Sequence, residues 1–255
     1  MNTEETFDEE LLAAYADHFF GYGSHSGGYW FIGMEEGGGD PFEEVQGKLL
    51  SWHQRGRREL EDIGEFSSAA NIHQWFGPQA KLQPTWSKFV RIIFGAEGIP
   101  ADTERIRRYQ AEVLGRLGGG SCLMELLPLP SPSLGHWHYA HRSGLQQLES
   151  REVYMRHYAP RRAAHIRKRI QEHGPRAVVF SSTDARYREW WQQIAGVPFV
   201  PCSVDGRICS VGQENRTVFA VTQHPVAMGV TNAYFEGVGE LIATASVSLR
   251  ATGAV

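Results

Sequence analysis

Two apolar runs, far apart in the chain, both finish in groups able to carry acid–base chemistry. Tyr29-Trp-Phe-Ile-Gly-Met-Glu-Glu-Gly-Gly-Gly39 runs into Glu35, Glu36 and a glycine loop, and Thr217-Val-Phe-Ala-Val-Thr-Gln-His-Pro225 runs into His224 and a proline. In open parallel sheets, ligands sit outside the carboxyl ends of the strands. A carboxylate and an imidazole delivered there by separate strands form an acid/base or ion-stabilising pair. Gly33 permits close approach of backbone to a ligand, and Gly37 to Gly39 leave peptide N–H groups able to face an anion or a carbonyl. Adjacent Glu35 and Glu36 point in different directions, so one can face the ligand while the other caps the next helix or meets solvent. A phosphate cradle fits poorly, because two carboxylates repel phosphate and no lysine follows.

These groups need a scaffold, and the apolar pattern describes one. Residues 7–20 read as an amphipathic helix with Phe7, Leu11, Leu12, Tyr15 and Phe19 on one face. Helices are expected over 42–63, 84–94, 105–117 and 147–173 (the last bent near Pro160), around Trp190 and Trp191, and from about Glu236. Strands are expected from Tyr29 up to the two carboxylates, at 121–127 up to the prolines after Leu127, at 177–182 and at 217–224, with an irregular segment around 197–211. Continuous apolar strands alternating with helices imply a parallel sheet covered on both faces.

Composition narrows the function classes. The 255 residues fit one domain spanning 1–255, no apolar run is long enough for a membrane span, and the acidic N-terminus lacks a signal-peptide pattern. Cys122, Cys202 and Cys209 are an odd, scattered set, which points to reduced thiols in a cytoplasmic protein and is too few for an all-cysteine zinc or iron–sulfur site. The net charge of −4 argues against a bulk nucleic-acid coat, yet Arg151, Arg156, Arg161, Arg162, Arg167, Lys168, Arg169 and Arg176 crowd one stretch. That stretch reads either as a phosphate-tracking face or as an ordinary solvated helix face. His136, His138 and His141 have spacing for a metal only on extended backbone and lack a nearby carboxylate or cysteine, so packing or phosphate contact is the expected role and no metal or cofactor is expected.

Taken as an ordered pair, Gly33-Met-Glu-Glu-Gly37 and His224-Pro-Val-Ala-Met228 resemble the first and last motifs of the uracil-DNA glycosylase superfamily, over most of residues 29–243. The resemblance implies a three-layer α/β/α sandwich around a four-stranded parallel sheet in order 2-1-3-4. It implies a monomer that excises a damaged or deaminated base from single-stranded or mispaired DNA. Glu35 would position water or stabilise charge, and His224 would stabilise the departing base. Gly33, Met34, Glu36, Glu125 and Phe42 would contact the base, with Tyr29 and Trp52 as further stacking candidates. Met228 would be the wedge entering the base stack, with Pro225, Arg161 and Arg162 on the DNA side. The chain departs from the family pattern where an asparagine reads uracil, since the second strand offers Glu125 as its only polar group, and Val226 stands where the family has serine. Two other classes stay open: an inactive nucleic-acid or nucleotide-binding protein of the same fold, and a hydrolase of small N-glycosides.

Overall fold

The computed structural model describes residues 5–39, 42–69, 72–77, 79–133 and 135–252, with side chains described to residue 246; residues 1–4 of the acidic lead lie outside it. In chain order the strands are β1 (Gly21–Gly23), β2 (Tyr29–Gly37), β3 (Leu60–Glu61), β4 (Ser121–Ser131), β5 (Ala177–Phe180), β6 (Val200–Val204), β7 (Arg207–Glu214) and β8 (Thr217–Val221). The helices are α1 (Glu9–His18), α2 (Phe42–Gln54), α3 (Ile63–Ala69), α4 (Pro84–Glu97), α5 (Thr103–Glu112), α6 (Tyr139–Arg142), α7 (Arg151–His173), α8 (Ala185–Ala195) and α9 (Asn232–Thr252).

One sheet runs β3-β1-β4-β2-β5-β8-β7-β6. It corrects the expected four-stranded, wholly parallel sheet, having eight strands of mixed orientation among the described residues. β4, β2, β5 and β8 pair in parallel, while β1 joins β4, β7 joins β8 and β6 joins β7 antiparallel. The strands added at the edges come from segments too short or too polar to show a periodicity. β3 holds two residues and interrupts the helix expected over 42–63: the chain leaves α2, turns through Gly56 and Arg57 at positive φ, and pairs Leu60 and Glu61 with β1. The β6–β7 hairpin replaces the irregular segment, turned by Asp205-Gly206, both at positive φ, which is the Asp-Gly hairpin chemistry.

Side chains alternate across the central strands. On β2, Trp30 and Ile32 enter one apolar cluster with α1, α2, α7 and α8, while Tyr29 and Phe31 enter a second with α4, α5 and α9. β5 repeats the alternation, with Val178 and Phe180 against Ala177 and Val179. Burial on both faces is why these strands read as unbroken apolar runs. β4 continues past Leu127 to Ser131 despite Pro128 and Pro130. Proline contributes no N–H, and the N–H of Leu129 between them donates to the Tyr154 hydroxyl at 3.0 Å.

The arginine-rich helix α7 is tied into the protein. Arg162 is only 1% exposed and donates to the carbonyls of Leu126, Ala16, Asp17, Phe19 and Glu125, over the Phe20 ring. This corrects its expected place on a DNA face: the guanidinium joins α1 and its C-terminal exit to β4. Burial pushes it down to about 10, which leaves it cationic at neutral pH. Arg161 pairs with Asp17 at 2.6 Å, Arg167 with Glu214 at 2.6 Å and Arg169 with Glu59 at 2.6 Å. Replacing Arg162 with leucine removes the donor from five carbonyls, three of them in fully buried bonds, and is expected to lower stability by about 3 kcal/mol, read from urea unfolding.

Candidate active site

A cavity of about 460 Å³ opens at the carboxyl ends of β2 and β4. Its lining brings together Gly33, Met34, Glu35, Glu36, Glu125, His224 and Pro225 from the two sequence motifs and the second long strand. Phe31 and Phe89, stacked with ring centroids 4.4 Å apart, lie in its wall, with Tyr22, Phe66 and Trp86. An aromatic wall carrying a few convergent polar groups suits a planar ligand.

Glu35 and Glu36 leave the same strand, and both line the cavity, because β2 shifts register against β4 between Glu35 and Gly37. Glu36 accepts from Lys48 of α2 at 2.9 Å, and Lys48 also lies 3.3 Å from Glu44. Glu36 therefore caps no helix. It is Glu44 that accepts from the Gly39 N–H at 3.1 Å, so this glycine of the loop is not the free donor expected. Glu35 Oε2 accepts from Arg151 Nη1, while its Oε1 is sealed from solvent without a partner among the described residues. Burial pushes the Glu35 carboxyl up to about 7, against the opposing pull of Arg151 and Arg186. Arg151 in turn donates to the carbonyls of Ser133 at 2.8 Å and His136 at 3.1 Å, and sits over the Trp137 ring. The histidine-rich segment thus holds Arg151 through its backbone. Among the described residues, no group of three or more histidine, cysteine or acidic side chains is placed to hold a metal.

His224 follows β8 at a tight turn, where the Ala227 N–H donates to its carbonyl at 2.9 Å. Nδ1 accepts from the Val226 N–H at 3.4 Å, an arrangement that leaves the ring proton on Nε2. Burial lowers His224 below the ordinary imidazole value, so the ring is neutral at pH 7 and has one N–H to give. The turn is braced from outside: Arg207 donates to the Gly229 carbonyl, and the Gln223 N–H donates to the Tyr234 hydroxyl at 3.0 Å. No family model matches the chain, and neither does any curated protein.

Glu125 faces Gly33 across the β2–β4 ladder. Its carboxyl lies where a side chain at residue 33 would begin: a Cβ there would be 1.9 Å from Oε2, so only glycine leaves it room. Oε2 is sealed from solvent and has no hydrogen-bond partner among the described residues. Burial, reinforced by the Glu36 and Glu35 carboxylates, pushes Glu125 well above the usual carboxylate range, with Arg162 pulling the other way.

Beyond the cavity, Met228 is 96% exposed, and Val226 is exposed beside it. Phe42 does not line the cavity, which corrects its expected base contact: it packs on the Phe7 ring at 4.6 Å, under the Arg142 guanidinium. Tyr29 and Trp52 are likewise core residues, with Tyr29 donating to Glu97 and Trp52 to the Arg58 carbonyl. Lys48, Arg151, Tyr22 and Ser181 join the cavity or its supports without having been singled out for it. Lys48 left one faint signal, its i,i+4 spacing from Glu44; Arg151 was indistinguishable from the other arginines of its stretch.

The Glu35 carboxyl carbon should titrate by NMR with a midpoint of about 7, and Arg151→Gln should move that midpoint upward, because Arg151 favours the ionised form. A midpoint near 4.5 in both proteins would mean that Glu35 is not shielded from water.

Proposed function

We propose that this protein hydrolyses the N-glycosidic bond of a damaged or deaminated base held out of DNA, as the resemblance to the uracil-DNA glycosylase superfamily implies, with the uracil-DNA glycosylase-like α/β/α fold as its frame. One observation carries the reading: Glu35 and His224, from separate parallel strands, line one aromatic-walled cavity, with burial pushing the carboxyl up and the imidazole down. Breaking the bond between the sugar C1′ and the base nitrogen sends its electron pair onto the base and leaves positive charge on the sugar. Ionised Glu35 stabilises that charge and takes a proton from the water that adds to C1′, while the His224 N–H stabilises the departing base anion. The products are the free base and an abasic sugar. Arg151 holds Glu35 in place and keeps it ionisable near neutral pH.

DNA as partner draws support from the rim. Met228 and Val226 project from the turn that carries His224, and an exposed apolar side chain there can fill the gap left by an extruded base. The internal pairing of Arg161, Arg167 and Arg169 favours a second reading, a hydrolase of small N-glycosides that needs no phosphate face.

A strand-cleavage assay on uracil-, hypoxanthine- and xanthine-containing DNA, single-stranded and mispaired, tests both. The native protein should generate abasic sites, and Glu35→Gln and His224→Ala should each lose about 10²-fold or more of the rate. The rate should fall with acid below about 7, where Glu35 protonates, and level off above it, since His224 is already neutral there. Met228→Ala should slow excision from duplex DNA more than from single strands. Abasic sites from no substrate, with free nucleosides hydrolysed at a rate insensitive to salt, would establish the second reading instead.

A further inference from the structure

Cys202 and Cys209 lie seven residues apart on two short strands, and the turn between them makes them a pair. Counting outward from Asp205-Gly206, Val204 faces Arg207, Ser203 faces Ile208 and Cys202 faces Cys209. Directly opposed residues share a face of the sheet, with Cα atoms about 4.5–5.5 Å apart. A disulfide spans about 4.4–6.8 Å between the same atoms, so the hairpin backbone can hold one as it stands. The side chains already turn toward one another: Cys202 Sγ donates to the Cys209 carbonyl at 3.3 Å, and the two thiols are in hydrogen-bond contact. Both are free thiols, Cys209 buried and Cys202 half-buried. β6 is the last strand of the sheet, with Pro201 and Ser203 exposed on either side of Cys202, so a small reagent reaches Cys202 first. Burial pushes the Cys209 thiol up to about 12, with Cys202 adding to the rise, so Cys209 by itself stays protonated and unreactive.

The pair also touches the brace behind His224. Cys209 lies against the hydroxyl of Tyr234, in the first turn of α9. The same hydroxyl accepts from the Gln223 N–H at 3.0 Å and donates to the Ile208 carbonyl at 3.3 Å. One hydroxyl thus joins the cysteine pair to the residue that precedes the imidazole.

We infer that Cys202 and Cys209 form a reversible dithiol–disulfide pair, oxidised by small-molecule disulfides, whose state is passed to the His224 turn through Tyr234. Cys202, as its thiolate, attacks one sulfur of the reagent, breaking the S–S bond and releasing one thiol that takes up the proton. Cys209 then attacks the Cys202 sulfur of the mixed disulfide, and its proton leaves with the second thiol. Two protein thiols lose two electrons, and one reagent disulfide becomes two thiols; excess thiol runs the sequence backwards. Contact between the two sulfurs makes the second step intramolecular, which offsets the reluctance of Cys209 to ionise. Closure removes the Cys209 S–H and draws that sulfur toward β6, so the Tyr234 hydroxyl readjusts its bonds to Ile208 and Gln223. Cys122, fully buried on β4, takes no part.

The experiment equilibrates the native protein, Cys202→Ser, Cys209→Ser and Tyr234→Phe with oxidised glutathione. Thiols are counted by alkylation in denaturant and mass spectrometry, and the Gln223 amide and His224 ring signals are followed by NMR. Of the three thiols in the native chain, only Cys122 should remain, and excess reduced glutathione should restore the other two. Cys209→Ser should stop with one glutathione bound to Cys202, and Cys202→Ser should keep both of its thiols. The Gln223 and His224 signals should shift when the native protein is oxidised. In Tyr234→Phe the disulfide should form while both signals stay still. Three thiols left in the native protein would overturn the inference, as would glutathione that stays on Cys202 without closure. A disulfide that leaves both signals unmoved, or moves them equally in Tyr234→Phe, would overturn the link to His224. No readout needs a substrate, so the outcome is independent of the proposed hydrolysis.

Discussion

Glu35, Glu36 and Glu125 are drawn largely out of water at the same end of β2 and β4, and the surrounding architecture is organised around the electrostatic penalty of that arrangement. Each acid meets the penalty differently. Glu36 is neutralised by Lys48, which α2 brings in from the layer above. Glu35 is half relieved: Arg151 binds one oxygen and leaves the other bare. Glu125 receives no counter-ion among the described residues, and burial pushes its carboxyl well above the usual carboxylate range. Three carboxyls within one cavity thus have three different sets of partners, and such separation allows neighbouring acids to perform different tasks.

The differences are enforced at a distance by the layers. Arg151 lies at the first turn of α7 and is aimed by carbonyls of the segment after β4, so the length of β4 and the start of α7 jointly set the state of Glu35. Further along the same helix, Arg162 gathers the carbonyls at the end of α1 and along β4, fastening the strand that carries Glu125. Two arginines of one helix, eleven residues apart, therefore support two acids of the site without either guanidinium facing solvent.

His224 is positioned from the other side of the sheet. β7, through the Ile208 carbonyl, accepts from the Gln223 side chain and from the Tyr234 hydroxyl. The β6–β7 hairpin thereby braces the turn that carries the imidazole. The strands outside the parallel core consequently support the site as well as close the edges of the sheet: β1 contributes Tyr22 to the cavity, and its neighbour Phe20 accepts the Glu125 N–H.

The apolar runs of β2, β4, β5 and β8 were legible because burial on both faces leaves an unbroken hydrophobic signature, and their polar ends named Glu35 and His224 before any geometry was known. The Asp205-Gly206 turn was equally legible in principle, but the half-exposed strands around it lack a clean alternation. Nothing local distinguishes Arg151 and Arg162, buried and structural, from Arg161, which stays at the surface. All three belong to one basic helix, and only the packing of α7 on the sheet assigns them. Phe42 failed as a base contact for the same reason, its ring being claimed by Phe7 from a segment remote in sequence. The sequence by itself determined which strands form the buried centre and which polar residues end them, since both depend on residue type and short-range period. Only the tertiary structure decided which acids are paired, which is left without a partner and which arginines are spent inside, because partners and exposure depend on neighbours that the fold brings from far along the chain.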